Sequence, residues 1–242
     1  MTQNPFSLQG KVALVTGASK GIGRALAIQA AQQGAHLALV ARSKTELKSV
    51  QAACVAHGAK CLIFVGNVSS EKLANETIKM VVETFGGIDF MINNAGYGIF
   101  GPIESYSAEA WSDVYDTNVK GTFLFSKAVL PAMKTAGRGH IINVASDVAK
   151  RVFDGGSLYC SSKFAQDAFS AALRKEVRKD GIKVSVVYSG LVDTTFHPNP
   201  HDESKKTWLT DTDMADSILF IMSQPAHVVI DELMIHPLSQ DY

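Results

Sequence analysis

Val12-Ala13-Leu14-Val15-Thr16-Gly17-Ala18-Ser19-Lys20-Gly21-Ile22-Gly23 joins an apolar run to a glycine-studded turn, and the rest of the chain is organised around it. Val12 to Val15 are apolar without alternation, as a strand buried on both faces requires. The glycines fall at 17, 21 and 23, at spacings of four and two. They let the backbone turn tightly and bring the amides of the next helix start close to an anion such as a pyrophosphate. This spacing differs from the commoner G-x-G-x-x-G fingerprint, and a glycine triplet by itself also fits an ordinary tight turn. Its place between the first strand and the first helix favours the phosphate reading.

Outward from that turn, short apolar runs recur between longer stretches of helical period, the pattern of a parallel sheet wrapped by crossover helices. Strands are predicted over 12–16, 36–41, 61–65, 88–93, 140–144, 184–188 and 228–236, seven in all. Helices are predicted over 21–33, 45–57, 70–85, 108–134 with a break near Asn118, 157–179 and 212–223. Gly34, Gly58, Gly86, Gly137 and Gly181 stand where these helices should stop, as left-handed C-caps. No charge block, low-complexity tract or proline-rich linker divides the chain. The expected architecture is therefore one α/β domain over 1–242, a Rossmann-type, doubly wound, seven-stranded parallel sheet flanked by helices. Residues 190–210 form the one long irregular stretch, the natural candidate for a substrate lid.

Charge and composition exclude several classes. The 23 Lys and Arg balance 23 Asp and Glu, so no global attraction to nucleic acid or to acidic membranes is expected. No run of 18 apolar residues suggests a membrane span, and residues 1–11 lack the pattern of a secretory signal. A cytoplasmic protein is expected. Cys54, Cys61 and Cys160 are odd in number, without paired metal-ligand spacing, and read as reduced thiols. His197 and His201 are four apart, yet Pro198 and Pro200 break any helix between them, so no metal site is expected.

Sites for NAD carry an acid near the end of the second strand, on the adenosine ribose hydroxyls. Here that strand ends Val40-Ala41-Arg42-Ser43, and Lys20 lies inside the glycine turn. Two cations without a carboxylate favour the 2′-phosphate of NADPH. Further along, Tyr159 and Lys163 are four residues apart and share a helix face. Ser146 stands just beyond the fifth strand, where doubly wound sheets collect ligands. A Tyr-x-x-x-Lys pair in isolation also fits two exposed helix residues, so its company decides its meaning.

That company is Thr16 to Gly23, Asn93-Asn94-Ala95-Gly96, Asn118 in Thr117-Asn118-Val119-Lys120-Gly121, Ser146, and the Tyr159 to Lys163 pair. In this order the set closely resembles the short-chain dehydrogenase/reductase family, from about Leu8 to about His236. The resemblance implies an NADP(H)-dependent oxidoreductase that interconverts a carbonyl and a secondary alcohol. Tyr159 would be the proton donor, Ser146 would hold the substrate oxygen, and Lys163 would grip the nicotinamide ribose and lower the Tyr159 pKa. Asn118 would interrupt its helix and hold a water that links Lys163 to solvent, or serve simply as a helix cap. Gly17, Ser19, Lys20, Gly21, Ile22, Gly23, Arg42, Asn67, Val68, Asn94, Ala95, Gly96, Gly190, Val192 and Thr194 complete the expected cofactor contacts. Two positions depart from the family pattern. Asn67 stands where an aspartate usually binds the adenine amino group, and its amide oxygen can accept the same bond. Ser189 stands where a proline is common.

Tyr97, Asp147, Phe153, Leu191 and Phe196 are expected to face the substrate, a mostly apolar set suited to a neutral or moderately apolar ketone. Arg174, Lys175, Arg178 and Lys179 cluster near a helix end, where cations complement the dipole. The same cluster could receive an acidic acyl-carrier protein, which would make the chain a 3-oxoacyl reductase of fatty acid synthesis. The last residues lack the glycine-rich ending of many such reductases, so the substrate stays open. A non-catalytic NADP-binding sensor or interaction protein is the reading from another class. By resemblance a homodimer or homotetramer is expected.

Overall fold

The computed structural model describes residues 7–196 and 203–241. Seven strands, β1 (Val12–Thr16), β2 (His36–Ala41), β3 (Cys61–Val65), β4 (Phe90–Asn93), β5 (Gly139–Val144), β6 (Ile182–Ser189) and β9 (Glu232–Ile235), form one sheet. Their order is β3-β2-β1-β4-β5-β6-β9, and every pairing is parallel. A short parallel ribbon, β7 (Val192–Asp193) with β8 (Leu209–Thr210), lies apart. The helices are α1 (Gly21–Gln32), α2 (Lys44–Ala56), α3 (Glu71–Phe85), α4 (Ala108–Tyr115), α5 (Gly121–Ala136), α6 (Ser157–Val177) and α7 (Asp211–Met222).

The unalternating apolar strands are explained by two cores. Ala13 and Val15 of β1, with Leu37 and Leu39 of β2, pack against α1, α2 and α7. Val12, Leu14, Ala38 and Val40, one residue out of step, pack on the other face against α3, α5 and α6. Successive side chains of a strand point to opposite faces, so a strand covered on both sides has no polar alternate. Strand order reverses between β1 and β4, and ligands of such sheets collect beside the carboxyl ends at this switch point.

Two expectations are corrected and the break near Asn118 is found. The strand over 228–236 is only Glu232–Ile235. The preceding carbonyls of Pro225, Val228, Ile230 and Asp231 accept from the side chains of Lys183, Ser185 and Arg174, so much of their bonding lies outside the ladder. The break expected near Asn118 is present as a π-helical turn at Asp116–Lys120 that joins α4 to α5, and Asn118 is buried within it. The described residues of the 190–210 stretch are not all irregular: they include β7, β8 and a 3-10 turn at Glu203–Thr207. His197, Pro198, Pro200 and His201 lie outside the described residues.

No described helix is long and apolar enough to cross a membrane, and no group of three or more His, Cys, Asp or Glu is placed for a metal among the described residues. Cys54, Cys61 and Cys160 are free thiols.

Candidate active site

A cleft of about 1170 Å³ opens along the carboxyl ends of the strands, and one end of it is built by the glycine turn. Gly17 has a φ of +65°, and a Cβ there would lie 2.8 Å from the Ala95 Cα. At Gly23 an added Cβ would lie 2.5 Å from the Gly17 carbonyl oxygen and 2.6 Å from Asn94 Nδ2. Only hydrogen fits at either position. The Thr16 hydroxyl accepts from the amides of Asn94 and Ala95, each at 3.1 Å, and Asn94 Nδ2 donates to the Thr16 and Gly17 carbonyls. These bonds lock the end of β4 to the turn. The first turn of α1 carries no acid that would compete for its amides, which suits a pyrophosphate.

Arg42 and Lys20 line the same end of the cleft. Lys20 Nζ lies 2.9 Å from Glu46 Oε1, and this bond holds the Glu46 carboxyl below its usual range. The end of β2 is free of acid, as the sequence states, but an acid reaches the cleft from the first turn of α2. Ser43 caps that helix by accepting from the Glu46 amide. The S-x-x-E spacing of a capping box was the signal in the sequence, and here the glutamate turns to Lys20. Asn67 is exposed, and its Oδ1 accepts from the Ser69 amide at 3.2 Å, leaving one lone pair for an adenine amino group. Val68 is buried beneath it.

Farther in stand Ser146, Tyr159 and Lys163, all buried. Lys163 Nζ donates to the Val144 carbonyl at 3.3 Å and to Gln166 Oε1 at 3.1 Å, 5.7 Å from the centre of the Tyr159 ring. Burial pulls this ammonium down to about 8. Burial pushes the Tyr159 phenol above its ordinary range, while a hydrogen bond with Ser146 acts in the opposite direction and the Asp147 charge adds to the rise. The expected lowering of Tyr159 by Lys163 is therefore absent in the chain by itself. Desolvation dominates, and the ammonium is bound to Val144 and Gln166 instead.

Asn118 sits in its π-helical turn with both amide hydrogens and one lone pair of its Oδ1 engaged. Its Oδ1 accepts from the Tyr97 amide, and its Nδ2 donates to the Tyr97 carbonyl and to Ser162 Oγ. It therefore pins the Gly96–Tyr97 backbone beside Lys163. A buried chain also joins the two residues: Gln166 Nε2 donates to Thr122 Oγ1, which donates to the Asn118 carbonyl.

Tyr97, Phe153, Leu191 and Phe196 line the cleft as expected, and Gly190, Val192 and Thr194 close it from the β6 side. Phe100 was not foreseen. Its ring meets Tyr159 edge-on at 5.5 Å and lies 5.7 Å from Phe153 and 6.1 Å from Phe196. Asp147 faces the cleft but is committed: its carboxylate holds Arg151, Gln240 and the Ser146 hydroxyl. Arg174, by contrast, is far from a free landing cation. It donates to the Val184 and Asp231 carbonyls and pairs with Asp231 and Glu232, tying α6 to the β6 edge.

A doubly wound sheet with a glycine turn at one end of its switch-point cleft and a buried Ser, Tyr and Lys at the other defines a dinucleotide-binding type of α/β protein. The short chain dehydrogenase model matches residues 11–205, so the chain belongs to the short-chain dehydrogenase family. An uncharacterised oxidoreductase of Staphylococcus aureus is 36% identical over 232 residues, which are 95% of this chain and 98% of that protein. An alcohol dehydrogenase from the archaeon Thermococcus sibiricus, complexed with 5-hydroxy-NADP, superposes with a TM-score of 0.90 at 31% identity. That match covers 96% of this chain and 98% of the archaeal one. A metagenomic short-chain oxidoreductase in complex with NADP gives a TM-score of 0.85 at 30% identity over 96% of this chain and 99% of its own.

Proposed function

We propose that the chain is an NADP(H)-dependent oxidoreductase that reduces a ketone to a secondary alcohol, or runs the reverse reaction. The observation that carries this is the burial of Ser146, Tyr159 and Lys163 together in the cleft whose other end is the glycine turn. Two similar solved structures hold NADP or 5-hydroxy-NADP. Gly17, Ser19, Gly21, Ile22 and Gly23 fit the pyrophosphate, and Asn94, Ala95 and Gly96 leave room for the adenosine ribose. NADPH, held there, would supply the hydride for the carbonyl carbon.

The protein's own residues supply the rest. Ser146 Oγ donates to the substrate oxygen, and the Tyr159 phenol gives that oxygen its proton. Lys163 stays bonded to the Val144 carbonyl and Gln166, 5.7 Å from the centre of the Tyr159 ring, and its role is to grip the nicotinamide ribose. Phe100, Phe153 and Phe196 exclude water and match an apolar ketone body. Leu191, Thr194 and Phe196, which belong to the expected lid and line the cleft, cover the ketone. With Arg174 engaged in the fold, the basic cluster of α6 is a dipole-complementing helix end, which favours a small ketone over a carrier-bound acyl chain.

Lys20 and Arg42 set the preference for NADPH. Replacing both by Ala is expected to raise the NADPH dissociation constant at least about tenfold, two charge-assisted contacts being lost, and to leave NADH binding within about twofold. Because Glu46 neutralises Lys20, Glu46→Gln should tighten NADPH by a few-fold. Nicotinamide fluorescence titration measures both. Equal binding of NADPH and NADH by the wild type would refute the assignment.

A further inference from the structure

After β9 the chain turns back over the carboxyl end of β6 and touches the site at several points. The Gly190 amide donates to the Ile235 carbonyl at 2.8 Å. Gln240 Oε1 accepts from the Leu191 amide at 2.7 Å, and Gln240 Nε2 donates to Asp147 Oδ2 at 2.8 Å. His236 Nε2 lies 3.4 Å from that same oxygen. Beyond, Ser239 Oγ donates to the Thr207 carbonyl. A Cβ on Gly190 would lie 2.3 Å from Gln240 Oε1 and 2.7 Å from His236 Cδ2, so the segment rests directly on a glycine backbone.

One amide side chain thus joins two parts of the site that are distant in sequence, the turn after β6 and the carboxylate beside Ser146. We propose that Gln240 is a positioning residue for carbonyl reduction: it clamps the Ser189–Leu191 turn to Asp147 and, through Asp147, sets the direction of the Ser146 hydroxyl. The proposal rests on the oxidoreductase reading above.

The hydroxyl of Ser146 has a single hydrogen and two acceptors in reach, Asp147 Oδ1 at 3.0 Å and the Ser189 carbonyl at 3.3 Å. A substrate oxygen must draw that hydrogen away from them. Arg151 and Gln240 both donate to Oδ2 of Asp147, and donors there reduce the pull of Oδ1 on Ser146. Without Gln240 the carboxylate grips Ser146 more firmly, and the Leu191 amide loses Gln240 Oε1 as its acceptor. Both changes weaken the hold on the substrate oxygen and leave the glycine turn untouched.

The test compares wild type, Gln240→Ala and Gln240→Glu, each saturated with NADPH, on a panel of apolar ketones, with amide exchange of Leu191 followed by mass spectrometry. Gln240→Ala should lower kcat/KM by about 10- to 100-fold, as expected when a reacting group is held out of place. Its NADPH affinity should fall by less than its kcat/KM, since Gly190 stands in the released turn but the glycine turn that fits the pyrophosphate is untouched. Gln240→Glu keeps the acceptor for Leu191 but replaces the donor to Asp147 by a charge, so it should retain slow Leu191 exchange and still lose turnover. A kcat/KM of Gln240→Ala within about twofold of wild type would overturn the proposal, and so would Leu191 exchange as fast in wild type as in Gln240→Ala. If wild type itself reduces nothing in the panel, the oxidoreductase reading falls, and the clamp is then decided by the exchange measurement.

Discussion

Tyr159→Phe is expected to reduce turnover by about a thousandfold or more while NADPH binds as before, the size of effect a well-placed general acid provides. The phenol lies next to Ser146 in the cleft and is backed by Phe100 and Phe196. Phenylalanine keeps those ring contacts, so the substitution removes a proton and little else. The melting temperature should change by no more than a few degrees, because a raised phenol contributes no charge to the folded state at neutral pH. Steady-state kinetics beside a fluorescence titration separates loss of chemistry from loss of cofactor. A Tyr159→Phe enzyme with normal kcat would end the assignment of this residue.

The second large effect concerns Lys163, where activity and stability oppose one another. Burial lowers this ammonium from the ordinary 10.5 to about 8. Below pH 8 the folded and unfolded chains both carry the proton, so the folded state bears the full cost of a buried charge, on the order of 3 kcal/mol at 1.4 kcal/mol per unit. Between pH 8 and 10.5 the folded chain releases the proton while the unfolded chain keeps it, and stability from this group rises with pH. Wild type should therefore gain denaturant resistance across that window, and Lys163→Met should show no such gain. Turnover of Lys163→Met should fall by about 100-fold or more, as when one electrostatic stabiliser is removed from an active site. Parallel denaturant curves for the two proteins at pH 7 and pH 10 measure the difference; identical pH dependence in both would show that burial does not depress Lys163.

These two residues also mark how far the sequence could be read. The strand-turn-helix at Val12 to Gly23 and the helical spacing of Tyr159 and Lys163 are local patterns, and local backbone geometry realises them. The interruption near Asn118 was legible too, and it became a π-helical turn that presents the Asn118 amide to Tyr97 and Ser162. Illegible were contacts made by distant segments. Gln240 meets Asp147 across 93 positions, and no periodicity links them. Phe100 lies in a loop after β4, and only its packing on Tyr159 gives it meaning. Glu46 was disguised as half of a capping box. The sign of the Tyr159 shift failed for a related reason: residue spacing reveals a neighbouring charge, whereas the depth of burial that outweighs it is a property of the whole fold.

The core of this account is hydride delivery to a carbonyl carbon with Tyr159 supplying the proton. NADPH dideuterated at the nicotinamide C4, incubated with the wild-type enzyme and an apolar ketone, tests it in one measurement by mass spectrometry of the alcohol. Wild type is expected to place one deuterium on the carbinol carbon, and Tyr159→Phe to form about a thousandfold less labelled alcohol in the same time. Alcohol formed without the label, or labelled equally by the Tyr159→Phe protein, would contradict it.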